Sequence, residues 1–257
     1  MGGEEGELGG RKKQNPQAQA KEHALKKAAQ ASSSSTVTNK LSFQEIFGID
    51  TIIKDWSSIS HIVAKVMDQG VKDICWAICF ARLVQAIYNM QNPHDANQFS
   101  IDDLIGSIKP EAGEKSLALA NLKKAFKHLS TVGVLKMPTR GHGMAGDKRK
   151  RVTEDFDMYE DVDASAIEKK LDMFPVALRF ETDVEFTENT GQIYYLPKKM
   201  PVTAKSRLHC LLLIGYGVTK EGERYFIGQN SYGENWGCQG YIRIVIKNKC
   251  DIICKKD

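Results

Sequence analysis

Large apolar residues are sparse in residues 1–40, which close on Ser32, Ser33, Ser34 and Ser35. Such a stretch cannot bury enough surface to offset its ordering entropy, so a disordered leader is expected there, followed by a folded domain over 41–257. Within it, Gln17–Ala31 is rich in Ala and Lys, but an isolated helix of that length is marginal in water. Trp76, Phe80, Leu83, Val84 and Ile87 then recur at the spacing of one helix face and predict a helix over Ile74–Met90. Leu117, Ala120, Leu122, Ala125 and Leu129 repeat the pattern over Ser116–Leu129, and a third helix is expected over Ala164–Met173, capped near Asp163. After Pro175 the period changes. Val176–Phe180, Gln192–Leu196, Cys210–Gly217, Arg224–Gln229 and Gly240–Ile246 are apolar or alternating runs punctuated by Gly, as strands are. Helices first and strands second predict a segregated α+β molecule: a helical lobe over about 55–165, a β-rich lobe over about 166–257, and a groove between them. No internal repeat is visible.

The 257 residues, 42% of them hydrophobic, suffice for one substantial domain or two small lobes. A formal charge of +4 gives no global electrostatic case for a nucleic-acid partner. The basic run Lys148–Arg151 is short and lies in a Gly-rich segment, which predicts a solvated loop, with a nuclear-import signal as the other reading. No run of about 18 apolar residues predicts a membrane span. Met1–Gly10 is acidic and Gly-rich, without the order of a secretory signal. The cysteines at 75, 79, 210, 238, 250 and 254 do not show zinc-knuckle spacing, so neither metal nor cofactor is expected. Reduced thiols and a cytoplasmic or nuclear location follow; a lysosomal, vacuolar or secreted location is the alternative if the N-terminus is incomplete.

The candidate chemistry is that of an activated thiol. A Cys is a useful nucleophile as a thiolate, and both a helix N-terminus and an imidazolium stabilise that form. Cys75 opens the strongest predicted helix. His209 opens the most apolar predicted strand, where burial would hold an imidazole rigidly. Asn230 ends the next strand, where its amide oxygen could fix the imidazole tautomer. Gln69, on the turn before Cys75, could aim its amide at an oxyanion together with the Cys75 backbone N–H. Taken singly, each residue also has a plain structural role: a buried core thiol, or a hydrogen-bonded His beside a strand.

The order and the local words together resemble the papain family of cysteine proteases. They are Gln69-Gly70-x4-Cys75-Trp76-Ala77; His209 on a strand ending Gly215-Tyr216-Gly217; and Asn230-Ser231-Tyr232-Gly233-x2-Trp236-Gly237-x2-Gly240-Tyr241. The resemblance spans about Asp55 to Ile246 and implies a two-lobed papain-like fold with the active-site cleft between the lobes. It implies Cys75 as nucleophile, His209 as base, Asn230 as its orienting partner and Gln69 as oxyanion donor. Asp73, Trp76 and Trp236 are expected at the substrate, with Trp236 also shielding the His209–Asn230 bond. The implied activity is that of a cysteine endopeptidase acting through an acyl-enzyme, working as a monomer on a peptide or protein. A weak or inactive papain-like module that binds peptides or a protein partner is the second reading. Several positions depart from the family pattern. Lys72 and Ser107 stand where a disulfide pair is usual, and Lys109–Glu114, with Pro110, replaces a Gly-rich substrate-binding word. Asp73 replaces Gly and Tyr232 replaces Trp, while the leader lacks the charged-aromatic pattern of an inhibitory proregion. Asp73 is expected either to attract a basic substrate residue or to pair with Lys72 or cap the helix.

Overall fold

The computed structural model describes residues 42–48, 50–108, 122–137, 150–203 and 206–256. The expected leader, Lys109–Glu114, the start of the helix expected from Ser116, and Lys148 and Arg149 of the basic run lie outside them.

The first element, α1 (Phe43–Phe47), opens with a capping box: Ser42 accepts from the Glu45 N–H, and the Glu45 carboxylate accepts from Ser42 N. A strand β1 (Thr51–Asp55) follows. The apolar periodicity from Trp76 resolves as α2 (Cys75–Gln91), which buries Ala77, Phe80, Leu83, Val84 and Ile87. Next come α3 (Ile101–Ser107), α4 (Leu122–Thr131) and the short pair β2 (Val134–Leu135) and β3 (Arg151–Val152). Arg151, the last residue of the basic run, is exposed but stands in β3 rather than in a loop, with a two-pronged bond to Asp103 at 2.9 and 2.7 Å. The chain continues through β4 (Phe156–Val162), α5 (Ala164–Met173), β5 (Val176–Glu181), α6 (Val184–Thr187), β6 (Tyr194–Tyr195), β7 (Leu208–Val218), β8 (Arg224–Gln229), β9 (Tyr241–Val245) and β10 (Cys250–Lys255). The Asp163 side chain caps α5, accepting from Ala166 N at 2.8 Å.

One eight-stranded sheet carries the second half of the molecule, in the order β4-β10-β5-β7-β8-β9-β6, with β1 also paired to β7. The long strand β7 organises it. Its first half pairs with β5, from Leu208↔Glu181 to Leu213↔Val176, and its second half with β1, from Gly215↔Asp55 to Val218↔Thr51. Lys54 O lies 2.1 Å from where a Gly215 Cβ would stand, so only Gly lets β1 approach there. Successive residues of β7 face opposite sides. Cys210, Leu212 and Ile214 pack with α2 into one core; Leu211 and Leu213 pack with Ile167 and Leu171 of α5 into a second. Burial of both faces explains why the strand reads as a continuous apolar run. The segregation of helices and strands is therefore incomplete, since β1 and β4 join the sheet from the first two-thirds of the chain.

Candidate active site

The first residues of α2 and of β7 come together through shared neighbours. Cys75 is the first residue of α2 and is partly buried. Ile74 occupies the N-cap and makes no side-chain cap bond. Its neighbour Asp73 is partly buried too. Tyr232 ties this corner to the sheet. Burial raises its phenol pKa, and the negative charges of Cys75 and Asp73 add to the effect. The same ring lies 5.1 Å from the ring of His209.

His209 is 4% exposed at the head of β7. Its Nε2 bonds Asn230 Oδ1 at 2.7 Å. An amide oxygen only accepts, so Nε2 carries the hydrogen and the lone pair of the neutral ring sits on Nδ1. Asn230 spends its oxygen on this bond, while its buried Nδ2 has no hydrogen-bond partner among the described residues. Leaving a buried donor unmade costs about 1–3 kcal/mol. Phe186 and Phe180 complete the wall, with ring centroids 5.5 and 5.8 Å from His209.

Gln69 is 5% exposed and is held by the residue after Asn230. Ser231 Oγ donates to Gln69 Oε1 at 2.6 Å, and Gln69 N donates to Ser231 O at 2.8 Å. Gln69 Nε2 gives one hydrogen to Lys72 O at 2.8 Å, leaving its second for another acceptor. The turn is fastened again by Gly233 N on Met67 O at 3.0 Å.

The two tryptophans are both largely buried. Trp76 is 4% exposed and packs its edge on Phe80 in the α2 core, so it presents almost no surface to a peptide. Trp236 donates Nε1–H to Thr187 O at 3.0 Å and packs against Phe186 and Tyr232. Both of those rings lie against His209 as well. The sequence reading missed Phe180, Phe186 and Ser231. Ser231 carried a signal in its place beside Asn230; the two phenylalanines carried none.

The remaining thiols differ from Cys75 in setting. Burial raises Cys79 and Cys210, pushes Cys250 up to about 12, and also raises Cys238. No disulfide joins any of the six cysteines. Among the described residues no group of three or more His, Cys, Asp or Glu is placed to hold a metal ion, and no helix is long and apolar enough to cross a membrane.

A model of the papain family cysteine proteases matches residues 53–256, and the chain belongs to that family. Similar proteins include the cysteine endopeptidase RepA of Oryza sativa subsp. japonica, 27% identical over 203 residues, covering 74% of this chain and 50% of that protein. The cathepsin L-like proteinase of Fasciola hepatica is 28% identical over 208 residues, covering 77% of this chain and 62% of that protein. The chain thus spans about half to three-fifths of the length of these relatives. Among solved structures, bromelain from Ananas comosus, in complex with the E64 inhibitor, superposes with a TM-score of 0.61 at 18% identity, covering 79% of this chain and 97% of that one. The proform of the ragweed cysteine protease Amb a 11 superposes with a TM-score of 0.61 at 17% identity, covering 95% of this chain and 88% of that one. These superpositions establish the papain-like α+β fold.

Proposed function

We propose that this protein is a cysteine endopeptidase in which Cys75 is the nucleophile, His209 the general base and acid, Asn230 the residue that orients it, and Gln69 an oxyanion donor. The observation that carries the proposal is the 2.7 Å bond from His209 Nε2 to Asn230 Oδ1 inside a wall of aromatic rings. It turns Nδ1 into the proton-accepting atom, and Tyr232 brings the Cys75 corner alongside. His209 Nδ1 takes the Cys75 proton, giving a thiolate and an imidazolium stabilised by each other and by the start of α2. The thiolate attacks the peptide carbonyl, and the second Gln69 amide hydrogen and the Cys75 N–H receive the developing oxyanion. His209 returns its proton to the leaving amine as the C–N bond breaks. Water, deprotonated by His209, then hydrolyses the thioester and regenerates the thiol.

The same proposal takes a peptide or protein segment as substrate and a monomer as the working unit. It places the protein in a reducing compartment, cytoplasmic or nuclear, because Lys72 and Ser107 stand where a disulfide pair is usual in the family. A non-catalytic peptide-binding module is the second reading, favoured by the charge of Asp73 felt at Tyr232 beside Cys75. Hydrolysis of a set of end-blocked fluorogenic peptides by wild type and Cys75→Ala decides between them. Turnover that disappears in Cys75→Ala supports the peptidase; no turnover from wild type, or turnover that survives the substitution, overturns it.

A further inference from the structure

A cavity of about 290 Å³ is lined by residues that border His209 in the chain and across the strands, though not by Cys75, His209, Asn230 or Gln69 themselves. It lies where the end of β5, the start of β7 and the start of β10 meet under the segment Leu196–Val202. Phe180 and Leu208 join it to His209: Phe180 pairs with His209 across the strands, and Leu208 precedes it in the chain. Arg179 forms part of the wall. It pairs directly with Cys210, so the two side chains share the sheet face that α2 covers, and Cys210 lies within electrostatic reach of both Cys75 and Arg179.

Arg179 is sparingly used for a partly buried guanidinium. Its side chain is 15% exposed, and among the described residues it makes one hydrogen bond, Nη1 to Asp251 Oδ2 at 3.3 Å. A guanidinium carries five donors. Asp251 does not need it, because Lys199 holds the same carboxylate at 2.6 Å and Asp161 N approaches at 3.3 Å. The other charges on the lining are Lys198 and Lys249, both exposed, exposed Glu181, and Asp183. Asp183 is committed to capping α6 through Phe186 N at 2.8 Å and to Tyr194 Oη at 3.2 Å. The apolar wall, with Phe180, Leu208 and Met200, suits an aliphatic stem ending in an anion.

We propose that this cavity receives an Asp or Glu side chain of the substrate and that Arg179 is the residue that reads its carboxylate. The inference rests on the peptidase proposal for the identity of its ligand as a substrate, and its test keeps the two apart. End-blocked hexapeptides with Glu, Gln or Leu fixed at each position in turn are measured twice, for binding to Cys75→Ala and for cleavage by wild type. A peptide with a free C-terminal carboxylate and no acidic side chain is included as a control for that other source of the same group. At one position Glu should exceed Gln by about tenfold in affinity, as a charge-assisted hydrogen bond supplies. Arg179→Gln should erase the ratio, and Asp251→Asn, which removes the competing carboxylate, should raise it. Binding preference without any cleavage upholds the cavity and sinks the peptidase proposal. Cleavage with no Glu preference at any position, a preference that survives Arg179→Gln, or binding that needs only the free C-terminus overturns the inference. If Arg179→Gln fails to fold in a thermal melt, Asp251→Asn decides: an increased ratio supports Arg179, and an unchanged or reduced one refutes it.

Discussion

Cys75 stands at the head of α2 beside an Ile74 N-cap that brings no side-chain oxygen, whereas His209 stands at the head of β7 among the rings of Tyr232, Phe186 and Phe180. The first position stands at a helix end, whose dipole favours a negative charge, and is only partly buried. The second is 4% exposed, and its orientation is set by packing and by one 2.7 Å hydrogen bond. Gln69 bridges the two, since its turn belongs to the Cys75 approach while its amide oxygen is held by Ser231 on the sheet side. The difference teaches that, under the proposed function, the nucleophile would owe its setting to a helix end and the base its setting to the core.

The largest effects should break the site while exposing that difference. Cys75→Ala and His209→Ala should each lower kcat/KM by about 10⁴-fold or more, because neither half of a nucleophile–base unit works alone. Only His209→Ala should also unfold early in urea, by about 1–3 kcal/mol, from the cavity left among the three rings. Equal stability of the two variants would erase the contrast between the sides. Gln69→Ala comes next. Loss of one oxyanion donor costs about 10²–10³-fold in kcat, and a change in KM alone would show that Gln69 only shapes the turn.

A fourth variant tests whether stability and chemistry separate away from the site. Asp50 holds Arg243 at 2.7 Å where α1 docks on the sheet, with Arg243 over the Phe47 ring and Phe43 edge-on to Tyr241. Asp50→Ala leaves a half-buried guanidinium without its carboxylate and should destabilise the fold by about 3 kcal/mol, read from denaturant midpoints. The kcat of the folded fraction should be unchanged. The smallest effect concerns Asp73, whose charge reaches Tyr232. In a partly wet site it should favour Arg over Gln just before the scissile bond by about tenfold. Asp73→Gly should abolish that preference; if the preference is absent or survives, Asp73 has a structural role.

Much of this arrangement is legible in local words, and the exceptions share one cause. The helix expected over Ile74–Met90 is found at Cys75–Gln91, and Ala164–Met173 and Arg224–Gln229 are found with the expected bounds. Their apolar spacing and caps lie within the segment itself. The strand β10 carries Asp251 amid apolar neighbours, which argues against a buried strand until Arg179 and Lys199 arrive from elsewhere in the chain. The edge strand β4 is broken by Asp157, Glu160 and Asp161 on its exposed positions. The run expected over Gln192–Leu196 narrows to Tyr194–Tyr195, because its partner is the parallel strand β9 and the contact is brief. The site follows the same rule. Cys75, His209 and Asn230 announce themselves through neighbouring words, whereas the aromatic wall and the Arg179 cavity are assembled from distant segments.

The central claim is that Cys75 is a thiolate because His209 is beside it. Alkylation with limiting iodoacetamide at pH 7, with the modified cysteines mapped by mass spectrometry, tests it directly. A thiol whose pKa is raised stays protonated until the pH approaches that raised value, so Cys79, Cys210, Cys238 and Cys250 should react slowly at pH 7 and faster only on strong alkalinisation. The account predicts that Cys75 is modified first, by at least about tenfold in rate over any other cysteine, and that His209→Ala removes this lead. Equal labelling of several cysteines, or a Cys75 lead that persists in His209→Ala, would contradict it.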